Sequence, residues 1–266
     1  MDREQCVMYV VQQYPISHSR ACKLFACSRG TKYYNKVMPQ KDEPVSIAIK
    51  EAIGMRRRGR KKVIAIVQRT NPAYSSSRIR RVYEKEGYAL YSKPTKKRQQ
   101  IQANPAFIPM QENIEWGIDF MHDVLESGRQ IRSLNIIDPF NRLCKGMFIS
   151  YSMPAKRVIE LLERAIECHG KPTAIRTDNG PEFISKQFQL WLKHKEIKWA
   201  NIRKGNPQEN CFIERFNRTA REDLFNANIF SSLDDANEKA AEFKDEYNML
   251  RPHESLNNKT PLEYAA

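Results

Sequence analysis

The sequence predicts an α/β domain that follows a set of basic, all-α segments. From residue 113 onward the apolar pattern changes from helical spacing to alternation, and three strand-like segments are then followed by helix and strand in turn. The charge changes in the same region: residues 1–100 carry 23 Lys and Arg against 7 Asp and Glu, whereas residues 101–266 carry 22 against 24. A basic front half of this kind indicates binding of a polyanion such as nucleic acid. The alternative is a set of basic helices that are only well solvated.

Residues 1–40 are predicted to form an N-terminal helix-turn-helix. Pro15 separates the first short helix from a second one, which Ser17 or Ser19 can cap. A third helix, at 29–37, follows and carries basic side chains. Two helices joined by a tight turn, the second of them basic, is the layout of a helix-turn-helix.

Residues 41–91 are predicted to form a second, more basic helix-turn-helix. The run RRRGRKK leads into one helix, and Ser75–Ser77 cap another, which ends at Gly87. The basic residues of this last helix lie at i, i+3 and i+7, on one exposed face, so phosphate contact is favoured over a merely solvated helix face. The candidate DNA contacts of the two modules are Arg29, Lys32, Lys36, Arg60, Lys61, Arg78, Arg81 and Lys85.

Residues 92–112 are polar and weakly periodic, and we interpret them as a linker. An α/β core is predicted at 113–230, with a helical extension at 231–266. The predicted strands cover 114–120, 131–137, 145–151, 173–177 and 197–200, and the predicted helices cover 154–169, the segment after the DNGP turn, and about 210–225. The first strand alternates apolar and polar residues and is therefore expected to be half-buried.

The composition also bounds the compartment. No stretch of eighteen apolar residues occurs and the N-terminus lacks the order of a secretory signal, so we expect a soluble cytoplasmic protein without membrane contact. The six cysteines lack paired CxxC spacing. Cys22 and Cys27 could form a metal site with His18, but both lie at apolar positions of a helical pattern, which favours buried thiols.

Three acidic residues are candidates for phosphodiester chemistry. Asp119 lies on the first predicted strand, Asp178 ends another strand, and Glu214 lies in the first turns of the helix near 210–225. Carboxylates that converge can hold two divalent ions against a phosphate. Taken singly, each would more often be an ordinary surface acid. Arg218 and Arg221 follow Glu214 at i+4 and i+7 and can bind phosphate, unless the first only forms a surface pair with Glu214.

The motifs around these acids resemble a known family. WGIDF, TDNGPEF and NPQENCFIERFNRTAREDL resemble the DDE core of retroviral-type integrases, and 35 residues separate Asp178 from Glu214, the spacing typical of that group. The C-terminal YNMLRPHESLNNKTPLEYA and the N-terminal SHSRACKLFACSRGTKYY resemble segments of second-frame (OrfB) transposases of IS-three-type insertion sequences. The resemblance covers nearly the whole chain.

The resemblance implies a ribonuclease-H-like integrase core, with a mixed five-stranded sheet and flanking helices, and two Mg²⁺ or Mn²⁺ ions held by Asp119, Asp178 and Glu214. It also implies double-stranded DNA as substrate, a homo-oligomer on DNA, a first-frame partner protein or fusion, and a location at the bacterial nucleoid. The resemblance further suggests a supporting role for Asp138 and an anchoring role for His253. The residues that match the active-site rim are Asn179, Gly180, Asn206 and Pro207.

The function implied is that of a DNA transposase. It would bind the terminal inverted repeats of its element, cleave at the element end, and join the 3′-hydroxyl to another DNA phosphate by two-metal-ion transesterification. Two alternatives stay open. One is a ribonuclease-H-like nuclease that never joins DNA, and the other is a DNA-binding regulator with an inactive core.

Overall fold

A computed structural model describes residues 3–28, 37–54, 58–90, 109–201 and 210–266 of the 266-residue chain. The described residues fall into two compact units, residues 1–50 and residues 51–266. The predicted DNA contacts Arg29, Lys32 and Lys36 lie outside the described residues, as does most of the predicted linker at 92–112.

The first unit contains α1 (Arg3–Gln13), α2 (His18–Leu24) and most of α3 (Val37–Ile53). Ser17 caps α2, as predicted, because its side chain accepts a hydrogen bond from the backbone of the first helical turn at 3.3 Å. Cys22 is buried between α1 and α2 and Cys27 is half-buried, and both are free thiols. The prediction of a buried thiol is therefore confirmed for Cys22.

The second unit begins with two helices joined by a short turn, α4 (Arg60–Thr70) and α5 (Ser76–Lys85). Their apolar sides are buried, and the two helices pack together. Ser75 accepts a hydrogen bond from the backbone N–H of Arg78 and so caps α5. Gly87 adopts a φ of +77°, the left-handed conformation that ends a helix. Both features match the sequence prediction.

A mixed five-stranded sheet forms the centre of the second unit, as predicted. The strands are β1 (Glu115–Val124), β2 (Gln130–Ile137), β3 (Cys144–Ser150), β4 (Ala174–Thr177) and β5 (Lys198–Asn201). Their order is β3-β2-β1-β4-β5; β1, β2 and β3 pair antiparallel, whereas β4 pairs parallel with β1 and with β5. The remaining helices are α6 (Ala155–His169), α7 (Pro181–Ile184), α8 (Lys186–His194), α9 (Cys211–Ala220), α10 (Leu233–Met249) and α11 (Pro261–Ala265).

Helices cover both faces of the sheet, so the prediction that β1 is half-buried is wrong. On one face Trp116 and Ile118 join a core formed with α6 and α8. On the other face Met121 packs in a second core with residues of α9 and α10, including Phe216. Because helices cover both faces, the first four residues of β1 and Met121 are buried, and exposure begins at His122.

Two helices differ from the predicted pattern. The helix expected after the DNGP turn is interrupted at Ser185, which has an extended backbone (φ −56°, ψ 141°) and whose hydroxyl accepts from the N–H of Phe188 to start α8. The helix from Cys211 continues beyond Ala220 as a π-helical turn, Arg221–Phe225. None of the helices in the described ranges combines the length and the apolar character that a membrane span requires.

Candidate active site

Asp119 and Asp178 lie on the same face of the sheet. The parallel pairing of β1 and β4 ends with Gly117 opposite Arg176, and Asp119 and Asp178 each follow that last pair by two residues, Asp178 just after the end of β4. Side chains two residues apart along a strand point to the same face, and neighbouring strands lie about 4.8 Å apart. Just upstream on that face, Arg176 Nε and Nη2 donate to the two Glu115 oxygens at 2.7 and 2.8 Å.

Glu214 is carried by α9, which packs on the same face. A Cβ atom at Gly117 would lie 3.6 Å from the Cβ of Ile213, so α9 approaches β1 closely at the point where the strand has no side chain. Ile213 and Phe216 are buried beneath the helix, whereas Glu214 is on its exposed side. The helix therefore places a carboxylate close enough to Asp119 for its charge to act on it.

The electrostatics of Asp119 show that the three carboxylates share one neighbourhood. Burial, together with the negative charges of Asp178 and Glu214, raises the pKa of Asp119 to about 6. Two hydrogen bonds oppose this shift: the N–H of Phe120 donates to Oδ1 at 2.8 Å, and Asn217 Nδ2 donates to Oδ2 at 2.8 Å. Asp119 is thus a fixed, partly desolvated carboxylate close to two like charges.

Other acids in this region are neutralised by arginine. These ion pairs are Glu115–Arg176, Asp123–Arg221 and Glu182–Arg132. Within the described residues, by contrast, neither Asp119 nor Asp178 nor Glu214 forms an ion pair. Uncompensated negative charge on one sheet face is unfavourable unless a cation joins it.

The donor chemistry fits a hard divalent cation, because Mg²⁺ and Mn²⁺ prefer carboxylate oxygens. In the described part of the chain, however, no three His, Cys, Asp or Glu side chains are already placed to hold one ion together. Asp119 lies on β1 and is half-buried, whereas Asp178, directly after β4, and Glu214, on α9, are both exposed.

The turn after Asp178 forms one rim of this site. The N–H of Gly180 donates to Asp178 Oδ1 at 3.1 Å, and a Cβ at position 180 would lie 3.2 Å from the same oxygen. Because Gly180 has no side chain, its backbone N–H can approach and hydrogen-bond the Asp178 carboxylate. Asn179 is exposed beside it, and the other predicted rim residues, Asn206 and Pro207, lie outside the described residues.

Sequence analysis missed two asparagines at this site. Asn217 is bonded to Asp119, and its Oδ1 accepts from Asn135 Nδ2 at 2.8 Å. Asn135 is fully buried and lies directly opposite Asp119 in the β1–β2 pairing. A signal was present, because Asn135 is a polar residue between two apolar ones in a predicted core strand and Asn217 follows Glu214 by one helical turn.

The two arginines that follow Glu214 differ. Arg218 is exposed and forms no ion pair within the described residues. Arg221 instead binds the Asp123 carboxylate and the backbone carbonyl of His122, and it lies over the ring of Phe225. Of the two predicted phosphate contacts, Arg218 therefore has the more available guanidinium.

The predicted DNA contacts on α4 are engaged within the protein. Arg60 forms an ion pair with Glu84 of α5 at 2.6 Å, and Lys61 forms one with Glu254 at 2.7 Å. Both pairs are largely exposed, so each contributes at most about 1 kcal/mol to stability. A phosphate could replace either carboxylate.

The predicted contacts on α5 differ in exposure. Arg81 and Lys85 are exposed, as the helical spacing predicted. Arg78 is half-buried, with its guanidinium 5.2 Å from the ring centre of Tyr74. The helix therefore presents a basic outer face.

Two other motif residues have structural surroundings. Asp138 is buried and accepts hydrogen bonds from the N–H groups of Asn113 at 2.8 Å and Phe140 at 2.9 Å, which holds two turns together. The ring of His253 packs edge-on against Tyr247 at 4.9 Å. Burial, with cationic side chains nearby, lowers the pKa of His253 to about 3, so it is neutral at pH 7. These contacts agree with a supporting role for Asp138 and an anchoring role for His253.

Comparison with known proteins identifies the family. Two models described as "Integrase core domain" match residues 109–207 and 195–261. The insertion element IS407 uncharacterized 31.7 kDa protein of Burkholderia multivorans is 31% identical over 252 residues, which cover 94% of this chain and 91% of that protein. The chain belongs to the IS-three-type insertion-sequence transposases.

Other comparisons agree with this assignment. The putative transposase InsK for insertion sequence element IS150 of Escherichia coli is 28% identical over 159 residues, which cover 57% of this transposase and 54% of that protein. A simian T-cell lymphotropic virus intasome, solved in complex with PP2A regulatory subunit B56 gamma, matches with a TM-score of 0.52 at 20% identity. That match covers 74% of the transposase and 68% of the solved chain, and it confirms the predicted ribonuclease-H-like integrase fold.

Proposed function

We propose that this transposase binds the terminal inverted repeats of its element, cleaves at the element end, and joins the freed 3′-hydroxyl to another DNA phosphate. Two Mg²⁺ or Mn²⁺ ions would be held by Asp119, Asp178 and Glu214. The observation that carries the proposal is that arginines pair with the surrounding acids but not with these three. The three candidate carboxylates share one sheet face and have no arginine partner in the described chain, whereas the acids around them do.

The three carboxylates would hold the ions from different elements: Asp119 from β1, Asp178 from the position after β4, and Glu214 from α9. The charges of Asp178 and Glu214 both act on Asp119, which supports a shared site. The bound ions supply charge neutralisation at the phosphorus and favour the deprotonated form of the attacking oxygen. No covalent protein intermediate is required.

Other parts of the chain provide DNA contacts in this proposal. Arg218 lies one turn beyond Glu214 and would bind a phosphate beside the scissile bond. Arg81 and Lys85 on α5 would bind the duplex further away. We further propose a homo-oligomer on DNA, because two element ends must be processed, and a first-frame partner protein or fusion that adds end recognition at the nucleoid.

The test uses the full-length protein, Mg²⁺ and labelled element ends, with one assay for cleavage of an uncut end and another for joining of a precleaved end. Asp119→Asn, Asp178→Asn and Glu214→Gln should each abolish both reactions while end binding is kept. Asp123→Asn is the matched control: it lies on the same strand but is paired with Arg221, so both reactions should persist.

The alternatives give different outcomes in the same assays. Cleavage without joining by the wild-type protein would indicate a nuclease. Binding without cleavage at any Mg²⁺ or Mn²⁺ concentration would indicate a regulator with an inactive core. Joining activity retained by Asp178→Asn would contradict the assignment of the site.

A further inference from the structure

A line of four hydrogen-bonded polar side chains crosses the sheet face beneath α9. Ser133 Oγ donates to Asn135 Oδ1 at 2.6 Å, and Asn135 Nδ2 donates to Asn217 Oδ1 at 2.8 Å. Asn217 Nδ2 then donates to Asp119 Oδ2 at 2.8 Å. Ser133 and Asn135 are 1% and 0% exposed. Burial of such groups is costly unless each is hydrogen-bonded, so we call this set the polar relay and ask what it positions.

The direction of the polar relay is fixed by its end at Asp119. An ionised carboxylate can only accept, so Asn217 must turn its NH₂ group toward it. The carbonyl of Asn217 then faces the NH₂ group of Asn135, and the carbonyl of Asn135 faces the hydroxyl of Ser133. Every donor in the relay therefore points toward the carboxylate.

We propose that Asn135 is a positioning residue for the catalytic carboxylates, acting through Asn217. Asn135 lies opposite Asp119 across the β1–β2 pair and reaches up to Asn217 of α9, which follows Glu214 by one helical turn. A single side chain of β2 thus orients one oxygen of Asp119 and ties the helix of Glu214 to the strand. The inference deepens the proposed function and rests on it.

A role in folding alone predicts something different. A buried amide that only stabilises the sheet should lower the melting temperature when removed, without changing the affinity of the site for metal. A positioning residue should change metal affinity, because partners that orient metal ligands typically contribute 10- to 100-fold to affinity or activity. Metal affinity therefore separates the two roles.

The experiment measures Mn²⁺ binding to the full-length protein by isothermal titration calorimetry, together with thermal unfolding and element-end binding. Asn135→Leu keeps the branched shape of the side chain but breaks the polar relay, and it should weaken Mn²⁺ binding about 10- to 100-fold with end binding unchanged. Ser133→Ala is a milder variant that keeps the fold and should weaken Mn²⁺ binding about 2- to 10-fold. Mn²⁺ affinity equal to the wild type in both variants would overturn the proposal.

Asn248→Leu is the matched control. Asn248 is also a buried amide that bonds a strand of this sheet, accepting from the N–H of Cys144 at 2.9 Å and donating to its carbonyl at 3.0 Å. Its replacement should lower the melting temperature and leave Mn²⁺ affinity unchanged. An equal loss of Mn²⁺ affinity in Asn248→Leu would show that general destabilisation explains the effect of Asn135→Leu, and it would overturn the inference.

A double variant tests the route through Asn217. If Asn135 acts through Asn217, then Asn135→Leu combined with Asn217→Ala should weaken Mn²⁺ binding no more than Asn217→Ala alone. Losses that multiply would contradict the route. Failure of the proposed function gives a different result: the wild-type protein itself would then bind no Mn²⁺ at the three carboxylates.

Discussion

The bidentate pair between Glu115 and Arg176 ties β1 to β4 on the face that carries Asp119. Its side chains are 8% and 17% exposed, so removing one partner leaves the other largely without water. Loss of one side of a buried pair typically costs about 3–5 kcal/mol. In a unit of this size 1 kcal/mol shifts the melting temperature by about 2–4 °C, so Arg176→Met should lower it by about 6–20 °C.

Replacing both partners should be far less harmful. In Glu115→Met/Arg176→Met no buried carboxylate is left without its cation, and apolar replacement of a buried pair is often neutral or stabilising. Arg157→Met is the control, because the Arg157–Glu160 pair is exposed and should contribute at most about 1 kcal/mol. Thermal unfolding of the four proteins by circular dichroism measures the comparison. A double variant as unstable as Arg176→Met, or a loss under about 2 °C in Arg176→Met, would refute the reasoning.

Three further predictions concern the site. Burial and neighbouring charge raise the pKa of Asp119 to about 6, and only the ionised carboxylate binds the cation well. Mg²⁺ should therefore raise the melting temperature fully at pH 8 and lose this effect as the pH falls through 6. A stabilising effect of Mg²⁺ that persists down to pH 4 would contradict this prediction. Arg218→Ala should weaken DNA binding and reduce the slope of log K against log salt concentration by about 1 in a titration of labelled DNA. Arg221→Ala should change this slope less, because the Arg221 guanidinium is already paired with Asp123. Gly180→Ala places a Cβ 3.2 Å from the Asp178 carboxylate and should slow joining about tenfold or more with little change in melting temperature; an unchanged joining rate would exclude this contact.

Much of the fold follows from the sequence because local patterns decide it. The alternation near Asp119, the helical spacing of 154–169 and the serine caps all describe interactions within a few residues. The environment of β1 does not follow in this way. Whether a strand has one or two covered faces depends on which helices pack against the sheet, and α9 and α10, which cover one face of β1, follow it much later in the chain.

The candidate site was predictable in part for the same reason. The three acids stand in recognisable motifs, so their identity could be read from the sequence, whereas their partners could not. Asn217 and Asp119 are 98 positions apart, as are Arg221 and Asp123, and no local pattern reports such a contact. Because Arg221 is paired with Asp123, its guanidinium is less available to bind phosphate than the sequence alone suggested.

Anomalous diffraction from crystals of the wild-type protein grown with Mn²⁺ would locate the ions relative to the three carboxylates. We expect Mn²⁺ in contact with oxygens of Asp119 and Asp178, with the Glu214 side chain turned toward them and Asn217 still bonded to Asp119. Mn²⁺ bound elsewhere on the protein, or bound without any of these three acids, would contradict the assignment of this sheet face as the catalytic centre.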